Sequence, residues 1–210
     1  MTTPPTQQKE NAGNPLKRSQ SAKSAERRRQ IVHAAYRTLA EKGFEGLRMR
    51  EIAKRAGIDH STLHYYFAGK EALIDGIVDH IVHDLAIGRS PAVESAALGP
   101  SLRLAAHFAA LVKQLQESPE MFVVLAELHA RSMREPMLRS IFSKNDRSWK
   151  AFLVEILEAG VQENEFKAKF LPEVVAETII SLTRGLTVTC AGRSERMTRP
   201  FDQLLVWLKG

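Results

Sequence analysis

The sequence predicts an all-α fold, and three observations carry that prediction. Apolar residues recur at spacings of three and four along most of the 210 residues, no stretch shows the strict alternation of a half-buried strand, and Gly and Pro cluster at the ends of the periodic segments. Residues 1–22 combine Pro4, Pro5, Gly13 and Pro15 with polar side chains and no hydrophobic period, which predicts a disordered basic arm, more a passive tail than a phosphate contact through Lys17, Arg18 and Lys23. From Ser24, a candidate N-cap, Ile31, Ala34, Ala35, Thr38 and Leu39 mark one face of a helix that Gly43 stops. Two short helical segments follow, Arg48–Ala56 and His60–Phe67, with Gly57 between them. After Gly69 a longer helix carries Leu73, Ile74, Ile77, Val78, Ile81, Val82 and Leu85 and ends near Gly88 and Pro91. The small-residue segment Ser90–Pro100 reads as a loop, and further helices are expected at 101–117, 120–133, 136–163, 172–191 and 201–208. Pro119, Pro136, Pro172 and Pro200 stand near helix starts, where a missing N–H does no harm, and 136–163 is long enough to break near Ser143–Asp146.

Composition narrows the function classes. Hydrophobic residues make up 44%, enough for a sizeable core, yet no run approaches the roughly 18 apolar residues that span a bilayer. The polar N-terminus lacks the apolar centre of a secretion signal, so a cytoplasmic protein without membrane contact is expected. The single cysteine, Cys190, excludes an internal disulfide and a cysteine-based zinc site, and its apolar surroundings predict a buried thiol. The net charge of +6 is unevenly spread: residues 1–70 carry 14 Lys/Arg against 6 Asp/Glu, and the remainder 16 against 18. All the excess positive charge lies in the first third, which suits an anionic polymer, nucleic acid ahead of membrane, as the partner of that end.

The stretch from Met49 to Phe67 has the residue types of two short helices crossing steeply. Ala53 allows the backbones to approach, Gly57 supports the tight turn, and Ile58 fills the corner. Ile52, Leu63 and Phe67 close a small core against Ile31, Ala35 and Leu39, and Asp59 is placed to cap the second helix. What remains on that second helix, His60, Ser61, Thr62, His64 and Tyr66, is compact and hydrogen-bonding with few formal charges, and Arg48, Arg50, Lys54, Arg55 and Lys70 surround it. Such a surface suits base edges and phosphates in a major groove.

Glu41-Lys42-Gly43-Phe44, this helix-turn-helix, and above all Leu63-His64-Tyr65-Tyr66-Phe67 followed by Lys70-Glu71-Ala72-Leu73 resemble the TetR family of bacterial regulators over roughly residues 24–75. The resemblance implies an N-terminal three-helix DNA-binding domain (23–70) followed by a larger helical effector-binding and dimerisation domain (71–210). It places Arg50, His60, Ser61 and Thr62 at bases or adjacent phosphates, and His64, Tyr66 and Lys70 at phosphates, while Tyr65 takes a more structural aromatic place. Two residues depart from the family pattern. His64 stands where Tyr is usual, making that phosphate contact weaker or sensitive to pH, and Arg48 replaces a capping Thr with a charge.

Residues 71–210 read as a bundle able to enclose a cavity. His107, Phe108, Met121, Phe122, His129, Met133, Trp149 and Phe152 are the candidate wall of a pocket for an apolar or aromatic effector, with ordinary core packing as the competing reading. Glu127 and His129, two apart, face different sides of their helix. The resemblance places a two-fold interface on the last two long helices, where Leu153, Ile156, Leu157, Val175, Ile179, Leu182 and Leu186 are the candidates and Gly185 and Thr189 permit close approach. His80 and His83 beside Asp79 and Asp84 have helical spacing for a metal but also fit a solvated face, so neither a metal nor a cofactor is expected. No nucleophile elbow, phosphate-binding Gly loop or HExxH is present, which argues against an enzyme. The expected function is a homodimeric regulator, a repressor that binds a palindromic double-stranded operator and releases it when a small molecule enters the second domain. The alternatives are a ligand-independent DNA-binding or architectural protein and, further off, a helical enzyme.

Overall fold

The computed structural model describes residues 15–84, 98–167, 169–189 and 195–210, the side chains of 15–20 and 82–84 excepted. The expected loop at Ser90–Pro100 (up to residue 97) and the buried Cys190 therefore lie outside the described residues. In chain order the helices are α1 (Pro15–Lys42), a 3-10 turn (Phe44–Gly46), α2 (Met49–Arg55), α3 (His60–Tyr66), α4 (Lys70–Asp84), α5 (Pro100–Glu117), α6 (Pro119–Ser132), α7 (Pro136–Gln162), α8 (Pro172–Thr189) and α9 (Glu195–Lys209). No strand occurs among the described residues, and none of their helices is long and apolar enough to cross a membrane.

The head forms as its residue pattern dictates. Ile31, Ala35 and Leu39 of α1 are buried against Ile52 and Ala53 of α2, Leu63 of α3, Phe67, and Leu73, Ile74 and Ile77 of α4. Ile58 packs on this core from the corner between α2 and α3. Gly43 ends α1 at φ 65° and Gly57 turns the chain between α2 and α3 at φ 64°. Both angles lie where a Cβ is strained against the backbone. Asp59 occupies the N-cap position of α3 with extended backbone, but its side chain makes no capping bond; the expected cap is positional only.

Four boundaries differ from expectation. The arm does not run to Ala22, nor does α1 start at Ser24: the helix begins at Pro15. Proline fits a first helical turn, and the Leu, Lys, Arg, Gln and Ala that follow are good helix formers. α7 is continuous through Ser143–Asp146, because Asn145 Nδ2 donates to the Ile141 carbonyl (3.2 Å) and Asp146 pairs with Arg184 of α8. Side chains able to compete with the helix are thereby engaged along or across it. Pro200 is not near the start of the last helix but inside α9, where it removes one backbone hydrogen bond.

The second unit is a bundle: α7 packs on α8, α6, α5 and α4, while α9 lies on α5 and the flank of α8. α1 contacts α2, α4 and α6, and one continuous apolar cluster runs from Ile31 to Leu208.

A direct test of the turn is Gly57→Ala. A Cβ there would meet no atom within 4 Å, so only backbone strain opposes it. The expected loss is about 1–2 kcal/mol in urea unfolding, and less for Gly57→Asn.

Candidate nucleic-acid interface and effector cavity

The seven residues of α3 can bury only one side. Leu63 is fully buried, Thr62 and Tyr66 are half-buried, and His60, Ser61 and His64 project outward. The His60 and His64 rings meet edge to face, 4.5 Å between centroids, one turn apart on that outer face. Arg48, Arg50 and Lys54 are exposed beside it. One cation of the expected surround, Arg55, is committed elsewhere, as is the neighbouring Lys42. Arg55 donates two 2.7 Å bonds to the Glu41 carboxylate, and Lys42 one of 2.7 Å to Glu51. The Arg55 hydrogen bonds hold the Glu41 carboxyl below its ordinary range, and Lys42 does the same for Glu51. These pairs tie α2 to α1 and leave Arg55 a brace.

Tyr65 does not keep the structural place the resemblance assigned it. Tyr65 is 82% exposed rather than structural, and Tyr66, edge-on to it at 5.2 Å, packs partly on the core. The residue after an inward Leu63 and before an inward Phe67 can share only part of the core face, and Tyr66 is nearer to it than Tyr65.

Lys70 sits away from α3. Its ammonium lies 3.8 Å over the Phe44 ring and 3.4 Å from the Phe44 carbonyl, and burial lowers its pKa. The same ring receives the Arg131 guanidinium at 3.9 Å. Arg131 donates to Glu45 (2.6 Å) and lies near Glu135 (3.4 Å) and Glu127 (3.8 Å). Glu127 Oε1 in turn accepts the Phe44 N–H at 2.7 Å. Phe44 is thus gripped by a carboxylate and a guanidinium from α6 and by the first residue of α4. Charge-assisted bonds of this length are the strong ones. Sequence reasoning placed Phe44 in a motif and missed this junction, because partners 83 residues apart leave no local pattern.

On the opposite side of α6 a partly open cavity of about 1800 Å³ lies between the helices. Phe122, His129, Met133, Trp149 and Phe152 of the expected wall line it, joined by Phe142, Arg103, Arg184 and Asp146. His107, Phe108 and Met121 do not reach it. Phe108 stacks on Phe201 at 4.3 Å in the core, where Met121 is also buried. His107 stands behind the wall, fully buried, and its Nε2 accepts the Trp149 indole N–H at 3.1 Å. The neutral ring therefore carries its proton on Nδ1, a buried donor with no partner among the described residues. Burial holds His107 down at about 4; burial, with Arg184 nearby, holds His129 at about 4. His129 stacks on Phe142 at 3.7 Å.

The expected dimer residues need correction. Leu153, Ile156, Leu157 and Ile179 have no exposed surface, because they point into the single-chain core. Val175, Leu182 and Leu186 are half-buried flankers. The outward face of α8 is instead Val174, Thr178, Ser181, Gly185 and Val188, one row at helical spacing. The His80 ring meets Tyr36 (6.2 Å) and His33 (6.5 Å) and lines the cavity. The side chains of His83 and Asp84 are outside the described residues, and no group of three or more metal-ligating side chains occurs among those described.

Comparison with known proteins gives concordant results. Residues 31–77 match the model described as bacterial regulatory proteins, tetR family, and residues 100–204 match that of the BetI-type transcriptional repressor, C-terminal. The HTH-type transcriptional regulator BetI of Burkholderia mallei is 30% identical over 121 residues, 58% of this chain and 62% of that protein; its counterpart in Burkholderia cenocepacia is 29% identical over the same length. The chain therefore spans less than two thirds of the relatives it matches. Among solved structures, a TetR transcription regulator from Haloarcula marismortui aligns with TM-score 0.77 at 21% identity, over 88% of this chain and 98% of that one. Salmonella enterica GusR aligns at 0.73 and 23% identity, over 96% and 100%. Bacillus subtilis FadR in complex with stearoyl-CoA aligns at 0.71 and 21% identity, over 86% and 97%.

The two depressed histidines set a pH dependence. Unfolded, each takes a proton near its ordinary value of about 6.5, whereas folded each waits until about 4. Between those values the unfolded chain holds more protons, so stability falls as pH drops through that window and flattens below it. Urea midpoints followed from about pH 7 to about pH 4 are expected to show this decline, and His129→Gln to remove part of its slope.

Proposed function

The chain belongs to the tetR family of bacterial regulatory proteins, a DNA-binding transcriptional regulator by that membership, and from that premise we propose that it is a homodimeric repressor released from a palindromic operator by a small molecule held in the cavity. In this reading residues 23–70 form the DNA head and residues 71–210 the effector-binding and dimerisation domain. His60, Ser61 and Thr62 meet base edges, and Arg48, Arg50, His64 and Tyr66 meet bases or phosphates. Lys70 joins them only after leaving Phe44.

The observation that carries the effector half of this reading is the two-sidedness of α6. At about 100° per residue, Leu125, Ala126, His129 and Met133 lie on or continue one side and line the cavity. Glu127 and Arg131 lie about 150° round from the middle of that side and hold Phe44. A molecule that displaces the cavity wall therefore moves the grip on the head. Through α4, anchored at Lys70, the same displacement alters the spacing of paired α3 helices from the roughly 34–36 Å of one DNA turn. The ligand acts by binding one arrangement better than the other.

The aromatic wall supports an effector with an apolar or aromatic body, and Arg103, Arg184, Asp146 and His129 supply polar contacts. The stearoyl-CoA in the FadR structure is a ligand of that general kind. For the dimer, the exposed row Val174, Thr178, Ser181, Gly185 and Val188 on α8 supports a helix-to-helix interface; a Cβ at Gly185 would meet nothing within 4 Å, leaving room for a partner helix. Two heads on one palindrome multiply the few contacts that one short helix can make.

Arg50→Ala and Tyr66→Ala are each expected to weaken binding of a labelled random-sequence duplex by about tenfold at low salt, leaving the dimer mass by light scattering unchanged. Unchanged anisotropy titrations would refute the assignment of this face. Arg131→Ala keeps the cavity but loosens the grip on Phe44. A compound found by thermal-shift screening should still bind this variant, while the change it causes in DNA affinity shrinks severalfold.

A further inference from the structure

Residues 22–30 of α1, all exposed, border the end of α3. Lys23, Arg27 and Gln30 from α1 and Tyr65 and Tyr66 from α3 line a shared groove of about 740 Å³, together with Ala22, Ser24 and Glu26. The charges in this groove are unequal in their commitments. Glu26, its one acid, is taken by Arg29 at 2.6 Å and by Gln30 Nε2 at 3.4 Å. Among the described residues Arg27 donates to the neutral Gln30 Oε1 at 3.1 Å, and no described carboxylate pairs with Arg27 or Lys23. Tyr65, whose phenol the core does not use, opens onto the same groove at 82% exposure. Two cations without an acid partner among the described residues and two phenols therefore face one channel, at the end of the helix whose outer face carries His60, Ser61 and His64.

We infer that this groove is a second sugar-phosphate seat, in which Lys23 and Arg27, with the Tyr65 hydroxyl, hold the DNA backbone just outside the base pairs read by α3. The inference rests on α3 facing DNA. The chemistry matches a phosphodiester: point and planar cations for its oxygens, a hydroxyl donor between them, and no carboxylate left unneutralised to repel it. It also gives a role to the turns of α1 that precede its buried face at Ile31. They need no core of their own if they lie along the backbone of a duplex. Contacts of this kind carry no base identity; they lengthen the footprint and add salt sensitivity.

The test uses the full-length protein and a labelled random-sequence duplex, with affinity measured across salt. Removing a cation that neutralises one phosphate lowers the slope of log affinity against log salt by about 0.9. Lys23→Gln with Arg27→Gln is expected to flatten the slope by roughly 2 for each protomer bound and to lower affinity at low salt severalfold. Its preference among duplexes of different sequence should be unchanged. Tyr65→Phe should lower affinity without changing the slope. Lys113→Gln with Lys144→Gln, which removes the same charge from the effector-domain surface, should leave the slope as it was. An unaltered slope in the first variant overturns the seat, as does an equal flattening in the surface control, which would make the effect one of net charge. Absence of salt-dependent duplex binding by the unaltered protein would instead remove the DNA-facing role of α3 itself. Circular dichroism confirms that these exposed substitutions leave the helices intact.

Discussion

Packing of α1 against both halves of the molecule is the constraint on which the remaining features depend. At 28 residues this helix is about 42 Å long, more than the small head can cover. Its C-terminal half supplies Ile31, Ala35 and Leu39 to the head core and contacts α6 of the bundle. Once that core is closed by Ile52, Leu63 and Phe67, α3 has no inward room for its other side chains. A seven-residue helix with one fully buried position must present histidines, hydroxyls and tyrosines to its surroundings, and duplex DNA is the surface that uses such groups together.

The same helix brings the head against the bundle. α1 ends at Gly43, and the 3-10 turn that follows offers Phe44 as a handle. Its amide is held by Glu127 and its ring by Arg131 and Lys70. Ion pairs in water contribute little, but here the acceptor is a carboxylate on a partly buried N–H and both cations lie on an aromatic face, which makes the arrangement directional. α6 has the cavity on its other side, so one helix borders both the cavity and the head. In the proposed function, coupling requires only that this helix have two positions.

Much of this was legible in the sequence. The helix-turn-helix was readable because short-range physics writes it: a small residue at the crossing, a glycine at positive φ, and apolar positions at helical spacing. The resemblance carried by Leu63–Phe67 and Lys70–Leu73 then pointed to the family that the comparisons show. Helix starts at Pro119, Pro136 and Pro172 followed from the missing proline N–H. The beginning of α1 did not, because the residues after Pro15 lack any hydrophobic period and are helical by propensity alone. Long-range choices were also hidden. Nothing local tells whether Phe108 will line a cavity or stack on Phe201, or that Leu153, Ile156, Leu157 and Ile179 point inward while Val174 and Val188 of α8 point out. Tyr65 and Tyr66 show the limit most plainly, since one residue of helical rotation separates a core neighbour from an exposed phenol.

The central claim is that α3, paired across a two-fold axis, reads a specific duplex. Repeated selection of bound fragments from a random DNA pool tests it without knowledge of the operator. The account predicts enrichment of a sequence with inverted repeats whose half-sites lie about one helical turn, 34–36 Å, apart or a multiple of that spacing. A pool that emerges at low salt with no enriched motif, or with one lacking two-fold symmetry, would contradict it.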